Sequence, residues 1–130
     1  MIGLDTNVIV RYLTHDDPLQ TAAAIKLLNS LSPASPAFVS QVVLVELVWV
    51  LKSVYAFEKH EIDHVLESLL FSDVLTIEQP EVVWHALREF RTASADFSDC
   101  VIEQRARAEG CKDAFTFDKH AASAGMRLLA

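Results

Sequence analysis

Ile2-Gly3-Leu4-Asp5-Thr6-Asn7 opens the chain with a short apolar run that stops at a carboxylate, and Phe115-Thr116-Phe117-Asp118 repeats that arrangement near the other end. Met1 to Leu4 reads as a buried first strand ending at Asp5, and Ala114 to Phe117 as a late strand closed by Asp118. Between them, strand-like runs alternate with helical periodicity, which argues for a parallel sheet with helices on both faces. In such sheets ligands bind beyond the carboxyl ends of the strands. Either acid alone reads equally well as a helix cap; two strands ending in Asp on one rim point to a site.

Working outward, Asn7 to Leu13 continues as a helix. Asp17-Pro18 starts another, with an acidic cap and proline at the first helical position. Leu19, Ala23, Leu27 and Leu31 recur at fourfold spacing along it. Ala37 to Val39 is a short strand. Ser40 caps a helix from Gln41 to about Tyr55 that is apolar on nearly every side and is expected to be central and buried. Lys59 to Leu70 is amphipathic, Val74 to Ile77 a strand, and Pro80-Glu81 opens a further helix. Asp96 to Glu109 is a helix ended by Gly110. Lys119 to Ala124 is a short helix and Met126 to Leu129 a last edge strand. No repeat, low-complexity tract or linker interrupts the pattern, so 1–130 is expected to be one domain.

Glu46 is the only charged residue between Ala37 and Leu51. An unpaired buried carboxylate costs several kcal/mol. Glu46 therefore either emerges at the helix's one polar edge or is held by a cation, and neither Gln41 nor Lys52 stands one turn away to pair with it. Asp96-Phe97-Ser98-Asp99 begins a helix, where acids complement the dipole. Asp96 fits the cap, and Asp99, one turn on, can reach the sheet rim.

Composition narrows the chemistry. The chain has 130 residues, 52% hydrophobic and 22% charged, as a globular domain does. Its three glycines, Gly3, Gly110 and Gly125, cannot build a phosphate-binding loop. A net charge of −7 disfavours a passive nucleic-acid binder, though not an enzyme that reaches phosphate through cations. Cys100 and Cys111 lack zinc-site spacing and read as reduced thiols. His60 and His64, a helical turn apart, read as a solvated face rather than a metal pair. Ala37 to Leu51, the longest apolar stretch, is interrupted by polar residues and short for a bilayer. Met1 leads straight into the first strand without a signal-peptide pattern. A cytoplasmic protein with no membrane contact is expected. What remains is a set of carboxylates of the kind that hold Mg²⁺ or Mn²⁺, ions that activate water for phosphodiester hydrolysis.

Leu4-Asp5-Thr6-Asn7, Glu46 after Ser40-Gln41, Asp96-Phe97-Ser98-Asp99 with Ile102 following, and Thr116-Phe117-Asp118 together resemble the PIN domain, and within it the VapC toxin ribonucleases of VapBC toxin–antitoxin systems. The resemblance covers the whole chain. It implies a PIN fold, a three-layer α/β/α sandwich around a central parallel sheet, and cleavage of RNA with Mg²⁺ or Mn²⁺ by a homodimer that a cognate antitoxin inhibits. Asp5, Glu46 and Asp99 then correspond to the core metal-binding acids. Asp118 corresponds to the fourth, holding a second ion or a metal-bound water. Asn7, Thr116 and Asp96 correspond to supporting residues; Asp99 is preferred over Asp96 as ligand because Ile102 follows it at the family's spacing. Arg11, just down the helix from Asp5, is a candidate phosphate contact or equally a solvated residue. Two other readings compete. One is a PIN-like binding module without nuclease activity. The other is a phosphotransfer domain forming phosphoaspartate on Asp5, for which Asn7 stands where haloacid dehalogenases have a second Asp.

Overall fold

Parallel strands cannot be joined by tight turns, so each short apolar run must be followed by a helical crossover before the next strand. The computed structural model, which describes residues 1–130, has this organisation. Its residues cluster into two units, Met1–Glu78 and Gln79–Ala130.

The first unit runs β1 (Ile2–Gly3), α1 (Thr6–Thr14), α2 (Pro18–Asn29), β2 (Ala37–Val39), α3 (Gln41–Ser53), α4 (Lys59–Phe71) and β3 (Leu75–Ile77). The strands pair in the order β1-β2-β3, all parallel, with Ile2 opposite Ala37 and Val39 opposite Ile77. The ladder continues past the strand ends, where Leu4 N–H donates to the Phe38 carbonyl at 3.0 Å and Glu78 N–H to that of Val39 at 3.0 Å. Ala37 and Val39 on the middle strand are fully buried, as are Leu44, Leu47 and Leu51 of α3 and Ile62 and Leu66 of α4. Helix starts follow the cap chemistry: Asp17 Oδ1 accepts from Gln20 N–H at 3.0 Å and Ser40 Oγ from Val43 N–H at 3.2 Å. Leu51→Ala should lower the unfolding free energy by about 2–5 kcal/mol, measured by urea denaturation, because a rigid core leaves the cavity unfilled.

The second unit comprises α5 (Pro80–Thr92), α6 (Phe97–Ala108), β4 (Phe115–Thr116), α7 (Lys119–Ala122) and β5 (Arg127–Leu128). β4 and β5 pair in parallel, Phe115 opposite Arg127. α5 packs on α6, with Phe90 and Phe97 meeting edge to face at 5.9 Å. Gly110, at φ +90°, ends α6. Its N–H donates to the Arg107 carbonyl and that of Cys111 to Ala106, both at 3.0 Å, the six-to-one and five-to-two bonds of a Schellman motif. Beneath this helix Glu103 is buried and ion-paired with Arg107, while Gln104 Nε2 donates to Glu89 Oε1 at 2.9 Å. Burial, then the Glu103 charge, pushes the Glu89 carboxyl above its ordinary range. Gly125, at φ +107°, leaves room for Glu103: a Cβ there would stand 3.0 Å from Oε1.

Every strand pairing is parallel, as the alternating pattern implies, but hydrogen bonds divide the strands into a three-stranded and a two-stranded set. β1 and β4, at two residues each, offer few ladder bonds. Two burial expectations change, for β1 and for α3. Ile2 is exposed on the outermost strand of its set. On α2 the fourfold-spaced Leu19, Ala23 and Leu27 are exposed, and Thr21 and Ala24 are buried. These small residues suit close packing on α1, and Thr21 Oγ1 reaches the Arg11 carbonyl at 3.4 Å. α3 is not enclosed all round; Val42 and Trp49 face outward. No helix is long and apolar enough to cross a membrane.

Candidate active site

In the first unit the site residues meet at the start of α1. Asp5 is in extended conformation at the cap position, and its Oδ1 accepts from Thr6 N–H at 2.8 Å. That bond satisfies one of the donors a helix start leaves free. Thr6 is only 2% exposed, and its Oγ1 donates to Glu46 Oε1. One residue thus holds two carboxylates distant in sequence, Asp5 by its backbone and Glu46, forty positions from Thr6, by its side chain. Glu46 lies at the exposed edge of α3, the polar edge that the sequence offered as one alternative, so burial by itself does not call for a cation there. Asn7 is exposed one residue on.

Thr6 was not among the residues singled out from sequence. A signal existed: a threonine directly after a strand-ending Asp supplies a hydroxyl at a helix start, where such groups hydrogen-bond locally. Which acid it would reach depended on where α3 lies.

Arg11 is drawn into a local network. Its Nε donates to Gln20 Oε1 at 2.6 Å, and its Nη1 to Asp16 Oδ1 at 3.1 Å and to the Tyr55 hydroxyl at 3.2 Å. The Tyr55 hydroxyl donates to Asp16 in turn. That bond, followed by the Arg11 charge, holds the Asp16 carboxyl below its ordinary value.

In the second unit Asp96 occupies the N-cap position of α6 in extended conformation, and Asp99 sits in its first turn, half-buried. Burial is the largest influence on Asp99 and raises its carboxyl pKa. A hydrogen bond from the Asp96 backbone opposes this, and the charges of Asp96 and Asp118 add to the rise. Asp118 caps α7, with Oδ1 accepting from His120 N–H at 2.7 Å. Its own N–H donates to Thr116 Oγ1 at 3.0 Å, so Thr116 orients the turn that carries Asp118. His120 opposes that rise weakly, and its Nδ1 lies 3.4 Å from Ser94 Oγ.

The structure therefore joins Asp5, Thr6 and Glu46 in one unit and Asp96, Asp99 and Asp118 electrostatically in the other. Neither unit by itself brings three Asp, Glu, His or Cys side chains together as a metal cage. The donors are nonetheless all hard oxygens, and Asp99 faces the like charges of Asp96 and Asp118; both features suit a divalent cation with carboxylate and water ligands.

The chain is 24% identical over 127 residues to a VapC ribonuclease of Aquifex aeolicus (strain VF5), an alignment spanning 97% of this chain and 93% of the relative. The PIN domain family model matches residues 2–125. Asp5, Glu46, Asp99 and Asp118 all fall inside that match, and the protein belongs to the PIN-domain family.

Proposed function

We propose that the protein is a Mg²⁺- or Mn²⁺-dependent endoribonuclease of the VapC type, the toxin of a type II toxin–antitoxin pair, with residues 1–130 forming one PIN domain. The observation that carries this reading is the match to the PIN family over nearly the whole chain, in a sequence that retains an all-oxygen donor set. Asp5, Glu46 and Asp99 would hold the cation and Asp118 a second ion, with Asn7, Thr116 and Asp96 in support. When bound, the cation would activate water and neutralise charge on the phosphate.

The chain's own residues prepare for that chemistry. Thr6 fixes the Asp5 and Glu46 carboxylates relative to each other before any ligand arrives, so little reorganisation is needed on binding. Asp96 and Asp118 keep Asp99 in a field that favours positive charge. Arg11 would contact substrate phosphate only by releasing Asp16, Gln20 or Tyr55. The −7 net charge fits an RNA substrate when cations mediate the contact. A cognate antitoxin, a homodimeric state and cytoplasmic action complete the reading.

Purified protein should cleave RNA internally with Mg²⁺ or Mn²⁺, and chelation by EDTA should stop it, with activity returning when the metal is restored. If neither metal supports cleavage and calorimetry detects no binding of either ion, the protein is a PIN-fold binding module instead.

A further inference from the structure

We infer that Trp49 is a base-stacking platform that selects unpaired nucleotides next to the bond being cut; this rests on the ribonuclease reading above. α3 buries Leu44, Leu47, Val48 and Leu51 and leaves Val42, Glu46, Trp49, Lys52 and Ser53 exposed. At about 100° of rotation per residue, Val42, Glu46, Trp49 and Ser53 fall within a stripe roughly 60° wide. Trp49 stands one turn beyond Glu46, with about 5–6 Å between their Cβ atoms, and is 64% exposed. Thr6 holds the Glu46 carboxylate within the stripe. The indole is the only aromatic side chain on α3, and it lies in water beside it.

An indole this exposed forgoes a large burial gain, so the stripe invites an apolar occupant. A dry protein surface laid over it would also have to desolvate the Glu46 carboxylate in its midst, which is costly without a paired charge. An RNA strand meets both demands. The cation that accompanies its phosphate would balance the Glu46 carboxylate, and an adjacent unstacked base would cover Trp49. Unpaired bases stack on aromatic side chains, whereas bases in an A-form helix are already stacked and out of reach. Lys52, exposed on the Trp49 flank of the stripe, adds positive charge where the strand would continue. The ligand is thus a single-stranded segment or loop of RNA.

The test compares wild type, Trp49→Ala and Trp49→Phe on an unstructured RNA oligonucleotide and on the same sequence held in a duplex, with Mn²⁺. Trp49→Ala should raise KM for the single strand roughly 5- to 100-fold while kcat changes little, the scale of one lost base stack. Trp49→Phe should restore most of the affinity, and the preference for single strand over duplex should shrink in the alanine variant alone. Because the chain has two tryptophans, Trp84→Phe isolates the Trp49 emission, which the single-stranded oligonucleotide should quench and the duplex should not. Wild-type cleavage with unchanged KM in Trp49→Ala and no quenching would overturn the stacking role while leaving the nuclease intact. So would an unchanged KM accompanied by loss of self-association in Trp49→Ala, which would make the stripe a protein contact. Absence of any cleavage by wild type would instead fail the ribonuclease reading itself, and quenching by RNA would still be measurable.

Discussion

Asp99→Asn should abolish RNA cleavage and, in the metal-free protein, raise the melting temperature. On the proposed function Asp99 would hold the cation, so kcat should fall by about 10³-fold or more, the scale seen when a central catalytic group is removed. The stability gain follows from the raised pKa. A carboxyl whose folded pKa lies above its unfolded value makes the folded state bind more protons between the two values. Stability from that group is therefore lost as pH rises from 3.8 through the folded pKa, and at neutral pH the ionised Asp99 opposes folding beside Asp96 and Asp118. Asparagine removes the charge and still accepts the Asp96 backbone hydrogen bond. After solvent screening the gain is about 0.5 kcal/mol, or roughly 1–3 °C. At neutral pH the variant should melt higher than wild type, and the difference should shrink as pH falls toward and below 3.8. Asp5→Asn provides the contrast. It should be equally inactive, yet asparagine caps a helix as well as aspartate does, so the melting temperature should stay near that of wild type. Calorimetry and an RNA-cleavage assay on both variants check the pair. Activity surviving in either would remove that residue from the cation site, and a lower melting temperature for Asp99→Asn would contradict the electrostatic account.

Thr6→Val should decouple activity from stability in a different way. Valine keeps the shape of the buried side chain and the backbone N–H that Asp5 accepts, but removes the hydroxyl that holds Glu46. Glu46 is exposed, so water replaces the lost donor and unfolding free energy should change by about 1 kcal/mol or less. The carboxylate would then sample other rotamers, and a group that orients a metal ligand typically matters 10- to 100-fold. Mn²⁺ affinity by calorimetry and kcat/KM on RNA should both fall by about that factor, and Thr6→Ser should restore them by returning the hydroxyl. Unchanged metal affinity in Thr6→Val would show that Glu46 needs no such restraint.

Element type and order were legible in the chain because each helix declares itself at its start. Asp17-Pro18, Ser40 and Pro80 mark helix beginnings that the structure has at those positions, and Gly110 marks an end. Which side of a helix is buried was less legible. The fourfold leucine spacing of α2 points one way and the packing of Thr21 and Ala24 another, since a close approach to α1 favours small residues over large ones. α3 is apolar nearly all round, so its composition carries no directional signal; only tertiary packing decides that Leu44 and Leu47 turn inward and Trp49 outward.

The carboxylates show the same division. By itself the sequence determined which acids are available and that Asp5 and Asp118 each follow a strand, because strand ends and caps are set by a few neighbouring residues. It also marked Glu46 as an acid in need of an explanation. Only the tertiary structure decided what that explanation is, an exposed edge held by Thr6 from forty residues away, and that Asp99 feels Asp96 and Asp118. Hydrogen bonds and charge interactions act over a few ångströms of space, and spacing along the chain specifies such distances only within a single helix or turn.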